Sequence, residues 1–144
     1  MRAHAADLSR TYVKSGAGEE PSLIGFYSIS MGRVSSSDLP ENKGKKVPHA
    51  ATPAALLAQL ATDDRAARGE GKFLVLDALE RIATLADQIG CSGTFLHAQT
   101  ADLVRYYTSL GFRQIGRSDA EFPTMWISMK DIRATFLDAA GGDE

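Results

Sequence analysis

One segment restricts the possible folds more than any other. From Lys72 to Ile89, the apolar residues Phe73, Leu76, Leu79, Ile82, Ala83, Ala86 and Ile89 recur at helical spacing, with Asp77, Glu80, Arg81, Thr84, Asp87 and Gln88 on the other side. The pattern predicts a long helix with one face buried, stopped by Gly90 at the position where a left-handed residue ends helices. The residues before it are Arg65-Ala66-Ala67-Arg68-Gly69-Glu70-Gly71-Lys72. Two glycines permit a tight turn and close approach of backbone to a ligand. A helix N-terminus behind them offers unpaired N–H groups and the positive end of the dipole. Two arginines and a lysine add positive charge, so the turn suits a pyrophosphate. It is not a Walker loop, because Ala66 and Phe73 occupy the places of the first Gly and the Ser/Thr. It is not a dinucleotide fingerprint either, because Leu74 stands where the third Gly belongs.

The rest of the chain supplies strands around that helix. Arg10–Lys14 and Ser22–Val34 are β-branched and aromatic and form a candidate hairpin across a Gly/Glu/Pro turn. Ser35–Pro53 is polar, holds Pro40, Pro48 and Pro53 with Lys43, Lys45 and Lys46 between them, and is expected to be a surface loop. Ala54–Ala61 is helical by propensity but short enough to be a buried strand, and periodicity leaves both open. Thr94–Ala98 is a strand. Thr100 can cap a helix over Ala101–Leu110 that stops at Gly111. Phe112–Ile115 and Met125–Met129 are further strands, Lys130–Ala140 a final helix, and the tail Gly141–Glu144 is expected to fray.

Composition removes several function classes. A net charge of -2 argues against a protein that coats nucleic acid, though not against a local basic patch. A single cysteine, Cys91, forbids an internal disulfide and disfavours a thiolate metal site. His4, His49 and His97 lack metal-ligand spacing, so no metal is expected, and His97 reads as a hydrogen-bonded core residue rather than a base. No apolar run is long enough to span a bilayer and Met1–Asp7 lacks the apolar stretch of a signal peptide, so a cytoplasmic protein is expected. In the second helix, adjacent Tyr106 and Tyr107 point about 100° apart, so one can join the core while the other faces a cleft. A phenol stays protonated at neutral pH and can serve as an acid toward a departing thiolate.

The order strand, Arg/Gly turn, long helix, strand, helix ending in Tyr-Tyr-x-x-x-Gly-Phe, strand resembles the GNAT acetyltransferase superfamily. Leu60-Ala61-Thr62-Asp63, Gly69-Glu70-Gly71-Lys72-Phe73-Leu74, Asp77-Ala78-Leu79 and Tyr107-Thr108-Ser109-Leu110-Gly111-Phe112 are most similar to the GNAT toxins of bacterial toxin–antitoxin pairs, as are Arg10–Val13 and Ile24–Ser28. The resemblance runs from Ser9 to Met129. It implies one α/β domain over residues 1–144, a GNAT fold whose mixed, mostly antiparallel sheet is flanked by helices, with a shortened N-terminal part. It makes Ala54–Ala61 the central strand, whose end at Leu60, Ala61 and Thr62 pairs with the pantetheine arm of acetyl-CoA. Arg68, Gly69, Glu70, Gly71, Lys72 and Phe73 would line the pyrophosphate. The family's Gln/Arg slot falls on Ala66, with Arg65 one residue away as the candidate cation. Tyr107 matches the tyrosine acid and Tyr106 the neighbouring aromatic that packs inward. The acceptor implied is the α-amino group of a charged tRNA, with Arg33, Arg65, Arg68, Lys43, Lys45 and Lys46 as phosphate contacts. A small DNA-binding antitoxin and a homodimer are the expected protein partners. Two other readings fit the same residues: acetylation of a small-molecule or protein amine, and a degenerate GNAT domain that only binds a partner.

Overall fold

The computed structural model describes residues 8–16, 23–42, 50–63 and 69–141. Its centre is a six-stranded sheet in the order β1-β2-β3-β4-β6-β5. The strands are β1 (Arg10–Ser15), β2 (Leu23–Ser35), β3 (Ala51–Thr62), β4 (Gly93–His97), β5 (Arg113–Ile115) and β6 (Thr124–Ser128). Three helices accompany them: α1 (Glu70–Leu85), α2 (Ala101–Ser109) and α3 (Met129–Gly141). Every strand pair is antiparallel except β3 with β4. A parallel pair needs a crossover, and α1 is that crossover.

Ala54–Ala61 lies wholly within β3. Its alanines and leucines favour helix in isolation, but β2 pairs along its whole length and Ala54, Ala55 and Leu57 are buried, so tertiary pairing overrides propensity. The expected loop Ser35–Pro53 is shorter than anticipated. Its start forms two 3-10 turns, Ser36–Asp38 and Pro40–Asn42, and its end joins β3, where Pro53 pairs with Arg33. Lys43, Lys45, Lys46 and Pro48 lie outside the described residues, as do the Gly/Glu/Pro turn and the end of the tail.

The buried stripe of α1 is rotated from the one expected. Leu74, Val75, Ala78, Leu79 and Ile82 are buried, whereas Phe73 and Ile89 are about half exposed. Phe73 is occupied elsewhere, with the Lys14 ammonium 3.7 Å from its ring centroid. Ile89 falls beyond the end of the helix, which stops at Leu85 and not at Gly90 as expected: its last turn closes through Ala86 N–H to the Ile82 carbonyl (2.9 Å), and Gly90 is not left-handed. The α1 stripe packs with Tyr27, Ile29, Leu57, Leu96, Tyr107, Phe112, Ile127 and Ile132 into the main core on one face of the sheet. Each fully buried aliphatic side chain there contributes about 1.5–3 kcal/mol. The opposite face carries a smaller cluster: Val34, Leu39, Ala54, Phe95, Ile115 and Trp126. Trp126 Nε1 donates to Glu41 (3.2 Å), which ties the 3-10 turns over that face.

Candidate active site

The register between β3 and β4 creates an opening. They pair only at Ala55↔Thr94 and Leu56↔Phe95. β4 runs only to His97, whereas β3 continues to Thr62. The strands therefore diverge toward their carboxyl ends, and the edge of β3 from Leu57 to Thr62 has no strand partner on that side among the described residues. Backbone N–H and C=O groups along such an edge demand partners. A bulge marks the same place: Ser28 faces Gln59 but Ile29 faces Leu57, so Ala58 is an extra residue in β3. Bulges re-aim a strand next to functional sites. Ala58, Gln59, Ala61 and Thr62 are exposed.

The start of α1 lies beside that edge. Gly69 enters the helix with φ of 96°, the left-handed region that favours glycine, and its carbonyl accepts from Phe73 N–H (3.0 Å). Gly69 has no side chain with which to cap the helix, and a helix N-terminus of this kind carries backbone N–H groups and the positive dipole end that suit an anion. Gly25 of β2 permits the close approach of strand and helix. A Cβ on Gly25 would stand 2.6 Å from the Ala61 carbonyl oxygen, 2.6 Å from Leu74 Cδ1 and 3.3 Å from Thr62 Cα. Lys14, at the end of β1, binds the Glu70 carboxylate at 2.6 Å and rests on Phe73. Sequence reasoning had given Lys14 no role; its signal is visible only in three dimensions, where β1 delivers a cation to the first turn of α1.

The second wall is α2. Thr100 Oγ1 accepts from Leu103 N–H (3.1 Å) as its N-cap, and Gly111, at φ of 105°, ends the helix. Tyr107 is buried in the main core, in edge-to-face contact with Phe112 and Tyr106. Tyr106 is only partly buried, and its hydroxyl lies 3.6 Å from where a Gly71 Cβ would be. The expectation that Tyr106 packs inward while Tyr107 faces the cleft is therefore modified. Tyr107 is the more buried of the two, and Tyr106 reaches the turn. Burial raises the pKa of both phenols, with repulsion from Tyr106 adding to the shift at Tyr107. Both thus remain protonated and able to donate.

The structure brings Ala61 and Thr62 at the end of β3 close to Leu74 in the first turns of α1, across Gly25, and it sets the Tyr106 hydroxyl beside Gly71; Glu70 and Phe73 are met by Lys14. Arg65 and Arg68 lie outside the described residues. His97 departs from its expectation. It is exposed at the carboxyl end of β4, with Nδ1 3.2 Å from Thr124 Oγ1 and its ring edge-on to Phe95. Alternation along the strand explains this: Leu96 and Ala98 stay in the main core, whereas His97 lies on the Phe95 side, where the smaller cluster extends no further. Among the described residues no group of histidine, cysteine and carboxylate side chains could hold a metal ion, and no helix is long and apolar enough to cross a membrane.

No known family profile matches the chain. Individual proteins do. A tRNA-acetylating toxin of Mycobacterium tuberculosis is 31% identical over 136 residues, which is 94% of this chain and 78% of the relative. A protein of Sinorhizobium fredii described as "Probable toxin TacT" is 34% identical over 119 residues, 76% of this chain. This chain spans 65% of that relative's length. Among solved structures, AtaT complexed with acetyl-methionyl-tRNAfMet superposes with a TM-score of 0.82 at 25% identity, covering 94% of this chain and 79% of the other. AtaTR bound with AcCoA superposes with a TM-score of 0.77 at 26% identity, covering 94% and 78%. The diverging β3–β4 pair, the glycine-led helix entry and the Tyr-x-x-x-Gly-Phe helix end agree with these likenesses, and the chain belongs to the GNAT acetyltransferase toxins of toxin–antitoxin systems.

Proposed function

We propose that the chain takes acetyl-CoA into the opening between β3 and β4 and transfers its acetyl group to the α-amino group of an aminoacyl-tRNA. The observation that carries this reading is the register: strands joined at Ala55 and Leu56 and parted beyond leave a free β3 edge beside a glycine-led helix N-terminus. The site residues fit the co-substrate. Leu60, Ala61 and Thr62 present the backbone edge to the amides of pantetheine. Gly69, Glu70, Gly71, Lys72 and Phe73 meet the pyrophosphate, with Arg65 and Arg68 as its further cations. Lys14 balances the Glu70 carboxylate that would otherwise repel the phosphates.

In the reaction the amine attacks the thioester carbonyl, and binding both reactants in line makes the step effectively unimolecular. N–H groups at the bulged end of β3 stabilise the oxyanion. Tyr107 donates its proton to the departing CoA thiolate. An α-amino group on an aminoacyl ester is a weaker base than a lysine, so a useful fraction is neutral and nucleophilic at pH 7. Support for this acceptor comes from the relative that acetylates tRNA and from AtaT seen with acetyl-methionyl-tRNAfMet. On this reading residues 1–144 act as one catalytic domain in the cytoplasm, where charged tRNA is found. A small DNA-binding antitoxin restrains it, and a second copy can extend its tRNA-binding surface.

One observation favours a second reading. The net charge of -2 suits a small-molecule or protein amine better than a polyanion. The first test is calorimetric titration of the full chain with acetyl-CoA. Binding in the micromolar range, about -8 kcal/mol, is expected. No binding at millimolar acetyl-CoA would refute both enzymatic readings and leave a partner-binding domain.

A further inference from the structure

The reaction proposed above has a donor for the thiolate but leaves the proton of the attacking amine without a destination. The fold supplies a candidate. Residues alternate between faces along a strand. Leu96 of β4 lies in the main core with Tyr107. Phe95 lies in the opposite cluster, and the His97 ring rests edge-on against it at 6.0 Å between centroids. His97 and Tyr107 therefore sit on opposite faces of the sheet, with the opening between β3 and β4 at the level where His97 ends its strand. The imidazole is exposed, and one nitrogen is occupied: Nδ1 lies 3.2 Å from Thr124 Oγ1. Beside it, on the Phe95 face, is a cavity of about 220 Å³ that runs from the ring toward the carboxyl end of β2, lined also by Arg33, Val34, Asp38, Gly116 and Thr124. That space takes an amino-acid-sized group next to the ring.

We propose that His97 is the proton acceptor for the attacking amine, held by Thr124 with Nδ1–H donating to Oγ1 so that the Nε2 lone pair is free, and that the acceptor enters from the Phe95 face. The assignment rests on the acetyltransferase reading. As the nitrogen–carbon bond forms, the amine N–H proton passes to Nε2. The tetrahedral intermediate then breaks its carbon–sulfur bond, and Tyr107 gives its proton to the thiolate. His97 releases its proton to solvent and Tyr107 regains one, so the sum is amine plus acetyl-CoA giving amide plus free CoA thiol.

The test uses the full chain with His97→Ala and His97→Gln, charged tRNA as acceptor, and three measurements: turnover at saturating acetyl-CoA, acetyl-CoA affinity, and turnover with added free imidazole. Turnover is expected to fall by about 10²-fold in both variants, with acetyl-CoA affinity unchanged and imidazole restoring part of the rate in His97→Ala. Thr124→Val, which keeps the shape and removes the hydroxyl, is expected to lower turnover less and to gain nothing from imidazole. Turnover within threefold of the native protein in both His97 variants would overturn the assignment. So would a loss that imidazole does not relieve and that parallels a fall in acetyl-CoA affinity. Failure of the acetyltransferase reading would appear instead in the native protein, as absent binding or absent transfer.

Discussion

Replacing Gly25 with alanine tests whether the approach of β3 to α1 builds the site. The new methyl carbon would stand 2.6 Å from the Ala61 carbonyl oxygen and 2.6 Å from Leu74 Cδ1, where ordinary contacts begin at 3.4 Å. The shortfall is 3.4 − 2.6 = 0.8 Å against each. Leu74 is fully buried and the Ala61 oxygen belongs to backbone, so neither yields cheaply. Overpacking of this kind costs about 1–3 kcal/mol. In a domain of this size that lowers the unfolding midpoint by roughly 2–4 °C per kcal/mol. The displaced atoms belong to the β3 edge and the first turns of α1, so acetyl-CoA affinity falls with stability. Gly90→Ala is the control, because a Cβ there meets nothing within 4 Å. Thermal unfolding and calorimetric titration of the two variants give the readout. If Gly25→Ala melts and binds like the native protein, the packing argument fails.

Tyr107→Phe is expected to lower turnover by about 10²-fold or more while leaving acetyl-CoA affinity within a few fold; parallel loss of both in kinetics and calorimetry would refute the donor role. Burial raises the Tyr107 pKa, so alkaline loss of its activity is expected above pH 10.0, the ordinary phenol value, in a pH–rate profile. Lys14→Ala leaves the Glu70 carboxylate unbalanced at the pyrophosphate turn. It should weaken acetyl-CoA binding by about 1–2 kcal/mol, read by calorimetry. Tyr27 donates to Asp77 and accepts from Arg81 (3.0 Å), and burial is the largest cause pushing its pKa up to about 12. A group whose folded pKa is raised stabilises the fold below its unfolded pKa and loses that contribution as pH rises through the folded value. Denaturant titrations should therefore show about 2–3 kcal/mol disappearing between pH 10 and about 12 in the native protein, and less in Tyr27→Phe.

Local signals in the sequence were enough to locate the main elements. The helix behind Gly69, the Thr100 cap and the Gly111 stop each follow from local chemistry, and each is present. Features that depend on distant partners were not legible. Ala54–Ala61 reads equally as helix or strand until β2 pairs with it. The rotated stripe of α1 follows from Leu74, Val75 and Ala78 packing on the sheet, which leaves Phe73 outside the core against Lys14, a residue in another element. His97 reads as core because its neighbours Phe95, Leu96 and Ala98 are buried, yet it lies on the face where the smaller cluster ends at Phe95, a limit set by distant elements. The two tyrosines leave the helix in different directions, yet their rings meet edge-to-face at 5.3 Å between centroids, and only the packing of α2 against the sheet decides which is more buried.

The central claim is the transfer itself. The purified chain would be incubated with acetyl-CoA and charged tRNA at low and high salt, and the aminoacyl ends analysed by mass spectrometry. The account predicts N-acetylated aminoacyl-tRNA and stoichiometric free CoA thiol, with a rate that falls steeply as salt rises. Acetyl-CoA binding without any acetylated aminoacyl-tRNA, or thiol release with small amines that ignores both salt and tRNA, would contradict it.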